Sequence, residues 1–309
     1  MLRFLLRRLV GAAIVLNVVS FLTFALLDLA PGDTADTLVG EYASAAQLAT
    51  VRRELGLDAP LVLRYLRFTS AAILHGDLGC SLISGRQVSK LIVERFGNTV
   101  TLALAAMSLA LAVGTLTGIA AAARPGGHLD LAVMSVTTLG LSLPTFWVAL
   151  LLIMAFSLRL GWLPVVGAGG PAHLVLPAVC LAFPTTAVVA RLMRASLLDV
   201  KSADYVCTAH AKGLTRHRVW RDHILRNGLI PVITLLGLHL GRLLGGTFII
   251  ETIFGWPGLG RLVVQAILDR DFPVVLGAVL LMAIIYQMLN FVVDVAHVGL
   301  DPRVGRGAL

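Results

Sequence analysis

Apolar residues along this chain gather into six runs, at about residues 9–30, 99–123, 131–158, 174–192, 229–254 and 274–296, with polar segments between them. A helix rises 1.5 Å per residue, so about 20 apolar residues cross the hydrocarbon of a bilayer. Each run is of about that length, and the pattern predicts an all-α polytopic membrane protein with six transmembrane helices. Arg3, Arg7 and Arg8 precede the first run, as in a signal peptide. That run is as long as a full span and no small-x-small site follows it, so the expected element is an uncleaved first transmembrane helix.

The longest polar segment, residues 32–98, carries its own helical pattern. "SAAQLATVRREL" offers a capping box, Ser44 with Gln47, and a stop at Gly56 with Pro60 beyond it; "LVLRYLRFTSAAIL" is a second amphipathic stretch. A small helical extracytoplasmic cap is expected there. Within and beside the apolar runs, Pro144, Pro177, Pro184 and Pro231 each remove an amide donor. They read as helix ends or kinks, or as breaks lining a water-filled path. Gly237, Gly241 and Gly245 repeat at four-residue spacing, a face along which another helix can approach, from this chain or from another subunit.

Between the fourth and fifth runs stands the short polar stretch "DYVCTAHAKGL". It reads as a small helix with both ends specified: Ser202 as its cap, Asp204 in the first turn, Lys212 in the last, and Gly213 in the left-handed position beyond. A helix so defined at both ends, outside the apolar runs, is suited to meet another protein.

Composition agrees with the membrane. The chain has 309 residues, 58% hydrophobic and 14% charged, with a mean hydropathy of +0.89; soluble domains carry about 25% charged residues. The net charge of +8 matters through its placement. Eight Lys and Arg against three acids lie between Arg191 and Gly228, and basic residues stay on the cytoplasmic side. That segment and both termini are therefore expected in the cytoplasm. Membrane lipid, not nucleic acid, is the surrounding partner. Cys80, Cys180 and Cys207 are too few and too scattered for a disulfide framework or metal cluster.

Catalytic motifs are absent: no H-E-x-x-H, no G-x-S-x-G and no phosphate-binding G-x-x-x-x-G-K-[ST]. The chain is read as a non-enzyme with no cofactor of its own. Polar residues inside the runs are costly unless they face protein or water, so Asn17, His239, Arg242 and Asn290 are candidates for lining a translocation path. His239 also reads as a hydrogen-bonded structural histidine, and Asp28, Glu251 and Asp294 as residues near the membrane surfaces.

"DYVCTAHAKGLTRHRVWRDHILRNGLIPVIT" closely resembles the cytoplasmic coupling loop of binding-protein-dependent ABC importer permeases of the dipeptide, oligopeptide and nickel branch. "APGD", "ELGLDAP", "GDLGCS", "GWLPVVG", "LGGTFIIETIFGWPGLG", "RDFPVV" and "LDPR" follow in the order that branch shows, and the resemblance covers essentially the whole chain. It implies a type I importer permease fold with four parts: residues 1–30, an extracytoplasmic loop 31–98, a permease core 99–296 holding the coupling loop 193–228, and a tail 297–309. It implies coupling to ATPases through Asp204, Tyr205, Ala209, Lys212, Gly213 and Leu214, with Ala209 and Gly213 keeping the second Ala and the Gly of the family's E-A-A-x-x-x-G motif. Cys207 and His210 depart from the pattern. Implied partners are a second homologous permease, two cytoplasmic ATPases that bind the ATP and Mg²⁺, and an extracytoplasmic binding protein. Implied cargo is di- or oligopeptides, with nickel, haem or glutathione-like thiols as alternatives. An ion-coupled secondary transporter is the competing architecture, but the two halves show no corresponding repeats.

Overall fold

A computed structural model of the chain describes residues 2–29, 45–54 and 58–300. Ser44 and Gly56, the expected ends of the first outer helix, lie outside the described residues. The chain divides into two compact units, residues 1–98 with 257–309, and residues 99–256. Every regular element among the described residues is helical.

The first unit contains α1 (Leu2–Leu29), α2 (Ala45–Glu54), α3 (Leu61–His75), the start of α4 (Val88–Ala123), α10 (Leu259–Leu268) and α11 (Phe272–Leu300). α1 packs on α11 and α3. The amphipathic pattern of α3 resolves into one buried tyrosine, Tyr65, edge-on to Phe21 and Phe24 of α1 at 5.2 and 5.9 Å. Burial of a phenol requires a partner for its hydroxyl, supplied by Ser20 at 2.7 Å and by Asn17 Oδ1 at 3.0 Å. α3 ends at Gly76 in the left-handed conformation, φ +63°. Further along, Ser81 Oγ and the Leu82 amide both donate to Asp271 at the start of α11. That buried carboxylate holds the turn around residues 80–87 in place. α10, ten residues long, answers to no run in the sequence reading. It buries Leu259, Val263 and Ala266 and exposes Ile267 and Leu268.

The second unit holds the rest of α4, α5 (His128–Ser142), α6 (Thr145–Leu152), α7 (Pro171–Lys201), α8 (Asp204–Ala211) and α9 (Arg226–Ile253). π-helical turns extend α6 over Ile153–Arg159 and lead into α9 over Val219–Leu225. Among the described residues four helices are long and apolar enough to cross a membrane: Leu6–Leu29, Val88–Ala123, Pro171–Lys201 and Phe272–Val292. The 28-residue α9 occupies the fifth expected run.

The third expected run is interrupted at Pro144, which the sequence marked as a helix end or kink. It is a pair of helices, His128–Ser142 and Thr145–Arg159, bent by 109°. Leu143 and Pro144 are both extended at the break. Proline biases its predecessor away from helix and brings no N–H to continue one. Pro177, Pro184 and Pro231, by contrast, lie inside α7 and α9.

α7 is the central strut of this unit, against α5, α6 and α9. It meets α4 at two glycines. A Cβ on Gly114 would lie 2.8 Å from Val189 Cβ, and one on Gly118 would lie 2.7 Å from the Ala190 carbonyl and Met193 Cβ. This is the close helix approach that small residues permit in a bilayer. It occurs here rather than at Gly245, around which a Cβ would meet nothing within 4 Å.

Candidate functional site

The polar stretch after the fourth run folds as expected in outline and differs at its ends. α7 closes at Lys201, and Ser202 Oγ donates back to the Asp199 carbonyl at 2.8 Å. Ser202 therefore finishes α7 and does not cap α8. The residue before α8 is Ala203, extended at φ −75° and ψ 144°, with no side-chain cap. Asp204 opens the first turn, where a carboxylate favours the positive end of the helix dipole. At the other end Gly213 adopts φ +76°. Its amide donates to the His210 carbonyl at 2.9 Å, and the Leu214 amide reaches the Ala209 carbonyl at 3.3 Å. The left-handed closure read from the sequence is present, with Lys212 as the last residue before it.

α8 has two faces. Val206 and Ala209, 3% and 5% exposed, turn inward onto Met193, Leu197, Val219 and Ile224, with Leu214 packed alongside. Ala209, one of the residues through which the resemblance implies coupling, thus faces inward. Its methyl fills the loop's own core, so its small size serves the fold of the loop. The outward face is Asp204, Tyr205, Cys207, Thr208, His210, Ala211 and Lys212, all exposed. Tyr205 accepts a bond from Asn227 Nδ2 at 3.3 Å, tying α8 to the start of α9. Beside the helix lies a groove of about 980 Å³, walled by Lys201, Cys207, His210, Arg216, His217 and Trp220 among others.

The base of this segment is braced by an ion pair that the sequence did not reveal. Arg194, near the end of α7, donates from Nε and one terminal nitrogen to the two carboxylate oxygens of Asp130 at the start of α5, at 2.5 and 2.7 Å. Asp130 is 3% exposed and also accepts the Gly126 amide at 2.9 Å. No sequence signal links two residues 64 positions apart.

The residues read as path candidates lie on α1, α9 and α11. His239 on α9 and Asn290 on α11 are half-buried, Asn17 accepts its bond from Tyr65, and the side chain of Arg242 lies outside the described residues. Glu251, read as a surface residue, is fully buried and accepts the Thr99 hydroxyl at 2.7 Å. Among the described residues no group of three or more His, Cys, Asp or Glu side chains is arranged to hold a metal.

Residues 114–306 match the family described as "Binding-protein-dependent transport system inner membrane component", and residues 1–103 match the N-terminal part of such membrane components. The chain belongs to that family and is a permease subunit of a binding-protein-dependent ABC importer. It is 41% identical over 304 residues to the glutathione transport system permease protein GsiC of Escherichia coli (strain K12), covering 98% of this chain and 99% of that protein. The same figures hold for GsiC of Salmonella paratyphi A. Two solved structures share the fold. One is an amino acid ABC transporter crystallised with histidines, with a TM-score of 0.55 and 18% identity over 67% of this chain and 92% of that one. The other is the MetNI methionine ABC transporter in an inward facing conformation, at 0.56 and 19% over 67% and 94%.

Proposed function

We propose that α8 is the lever through which cytoplasmic ATPases drive this permease. The observation that carries this reading is the two-faced helix: Val206 and Ala209 anchor it from within, while Asp204, Tyr205 and Lys212 stand exposed for a partner. Gly213 and Leu214 set the turn that returns the chain to α9. Because α8 packs against both α7 and the turns leading into α9, force on its outer face tilts those helices as a body. Two ATPases, each seated on one such lever of a permease pair, close on ATP and exchange inward for outward access. ATP and Mg²⁺ are held by those partners. The chain itself supplies path and lever, with His239, Arg242 and Asn290 as polar contributors to the path.

The cargo proposed is a short peptide of the glutathione class, on the strength of the GsiC relatives. Two measurements test the reading. The purified chain alone should hydrolyse no ATP above background, with hydrolysis appearing once the ATPases are added. A strain lacking this permease should lose uptake of labelled glutathione; unchanged uptake would redirect the search to longer peptides or nickel.

Orientation is tested through the cysteines. Cys80 and Cys207 are exposed and Cys180 is buried. With both termini in the cytoplasm, an impermeant thiol reagent applied to intact cells should modify Cys80 and spare Cys207, and permeabilisation should open Cys207 as well. Cys180, whose thiol points at the Thr145 carbonyl 3.2 Å away, should resist in both cases. Modification of Cys207 in intact cells would invert the topology.

A further inference from the structure

α4, α5 and α7 enclose an open groove of about 470 Å³ whose wall is almost all hydrocarbon, with Val113, Val136 and Phe183 from the three helices. Three threonines line it too, but each spends its hydroxyl proton on its own helix: Thr117 on Val113 O at 2.7 Å, Thr137 on Met134 O at 2.9 Å, Thr186 on Ala182 O at 2.9 Å. A peptide cargo placed here would leave its amides without partners, at a cost no part of the wall offsets. An alkyl chain would not.

A charged residue stands beside the groove wall. Arg191 follows the lining residue Ala190 on α7, and its side chain is fixed against α5 by bonds from Nε to Thr137 Oγ1 at 3.1 Å and from a terminal nitrogen to Thr138 Oγ1 at 2.6 Å. Arg194, one turn nearer the coupling loop, has its carboxylate in Asp130. Among the described residues Arg191 has none, only these two neutral hydroxyls, and it is exposed. Free arginines at a membrane rim extend toward water. This one is held against Thr137, a residue of the groove wall, and a guanidinium matches the geometry of a phosphodiester.

We propose that the groove holds an acyl chain of an anionic phospholipid from the leaflet on the coupling-loop side, with its phosphate bonded by Arg191. Basic pockets between spans on that side are suited to anionic headgroups. The lipid would supply the counter-charge that Arg191 lacks and wedge the faces of α5 and α7, the two helices whose ends brace the lever.

The test uses the assembled transporter in mild detergent, with co-purified lipid quantified by mass spectrometry after equilibration with equal phosphatidylglycerol and phosphatidylcholine. Arg191→Gln should lower the retained phosphatidylglycerol to phosphatidylcholine ratio about fivefold, the loss expected for one basic contact with an anionic surface. Ala132→Phe, at an exposed position on the groove's edge, should reduce retention of both lipids and leave assembly intact, which keeps the test valid if Arg191→Gln folds poorly. An unchanged ratio in Arg191→Gln together with unchanged total lipid in Ala132→Phe would overturn the proposal. So would efficient cross-linking of Val136→Cys to the second permease, since a protein helix would then fill the groove.

Discussion

Gly213→Pro should abolish coupled transport while leaving the protein inserted in the membrane. Gly213 sits at φ +76°; proline is confined near −65° and has no N–H to give the His210 carbonyl. The chain beyond α8 would leave in another direction. Val206 and Ala209 would then part from Val219 and Ile224, the residues that anchor the helix. No space argument intervenes, because a Cβ at Gly213 would meet nothing within 4 Å; the effect is one of backbone conformation. Gly213→Ala should be milder, since a left-handed alanine costs roughly 1–2 kcal/mol, and Gly213→Asn milder still, because asparagine is the usual alternative at this position. The three variants are to be co-purified with the ATPases and assayed for substrate-stimulated hydrolysis. The order Asn, Ala, Pro in increasing loss is expected. If Gly213→Pro keeps the ATPases bound and transport coupled, α8 is not the lever.

Gly118→Val should prevent formation of the stable second unit. The clash is with backbone, the Ala190 carbonyl at 2.7 Å, as well as with Met193 Cβ, so no side-chain rotation relieves it. Inserting carbon into a packed core commonly costs about 1–3 kcal/mol, and more where backbone must move. Even Gly118→Ala carries the offending Cβ and should lower the thermal midpoint in detergent. Gly245→Ala is the matched control: it adds the same methyl to an apolar helix where nothing lies within 4 Å and gains the better helix propensity of alanine. A thermal midpoint for Gly118→Val equal to that of the unaltered protein would refute the close approach. Should Gly245→Ala fold normally yet fail to assemble, its glycine face belongs to an interface between subunits.

Much of the site was legible because it is local. The turn at Gly213 follows from the chemistry of one residue type, and the stretch from Asp204 to Lys212 stands out as polar sequence between two apolar runs. The same glycine spacing noted at Gly237, Gly241 and Gly245 was open to reading at Gly114 and Gly118, yet spacing alone does not say which glycine face finds a neighbour. Ser202 shows the limit of local rules. A serine before a helix has two helices to serve when another ends just ahead of it, and here its hydroxyl bonds the end of α7.

The sequence by itself determined the class of the protein and its helices, because apolar length and period are properties of contiguous residues and a bilayer leaves the backbone few other ways to satisfy its hydrogen bonds. Only the tertiary structure decided which way those helices face. It turned Ala209 into the core of its own loop and joined Arg194 to an aspartate 64 residues away. It also held Arg191 against a hydrocarbon groove. Each of these depends on residues distant in the chain meeting in space, and helical periodicity specifies a face without specifying what that face will meet.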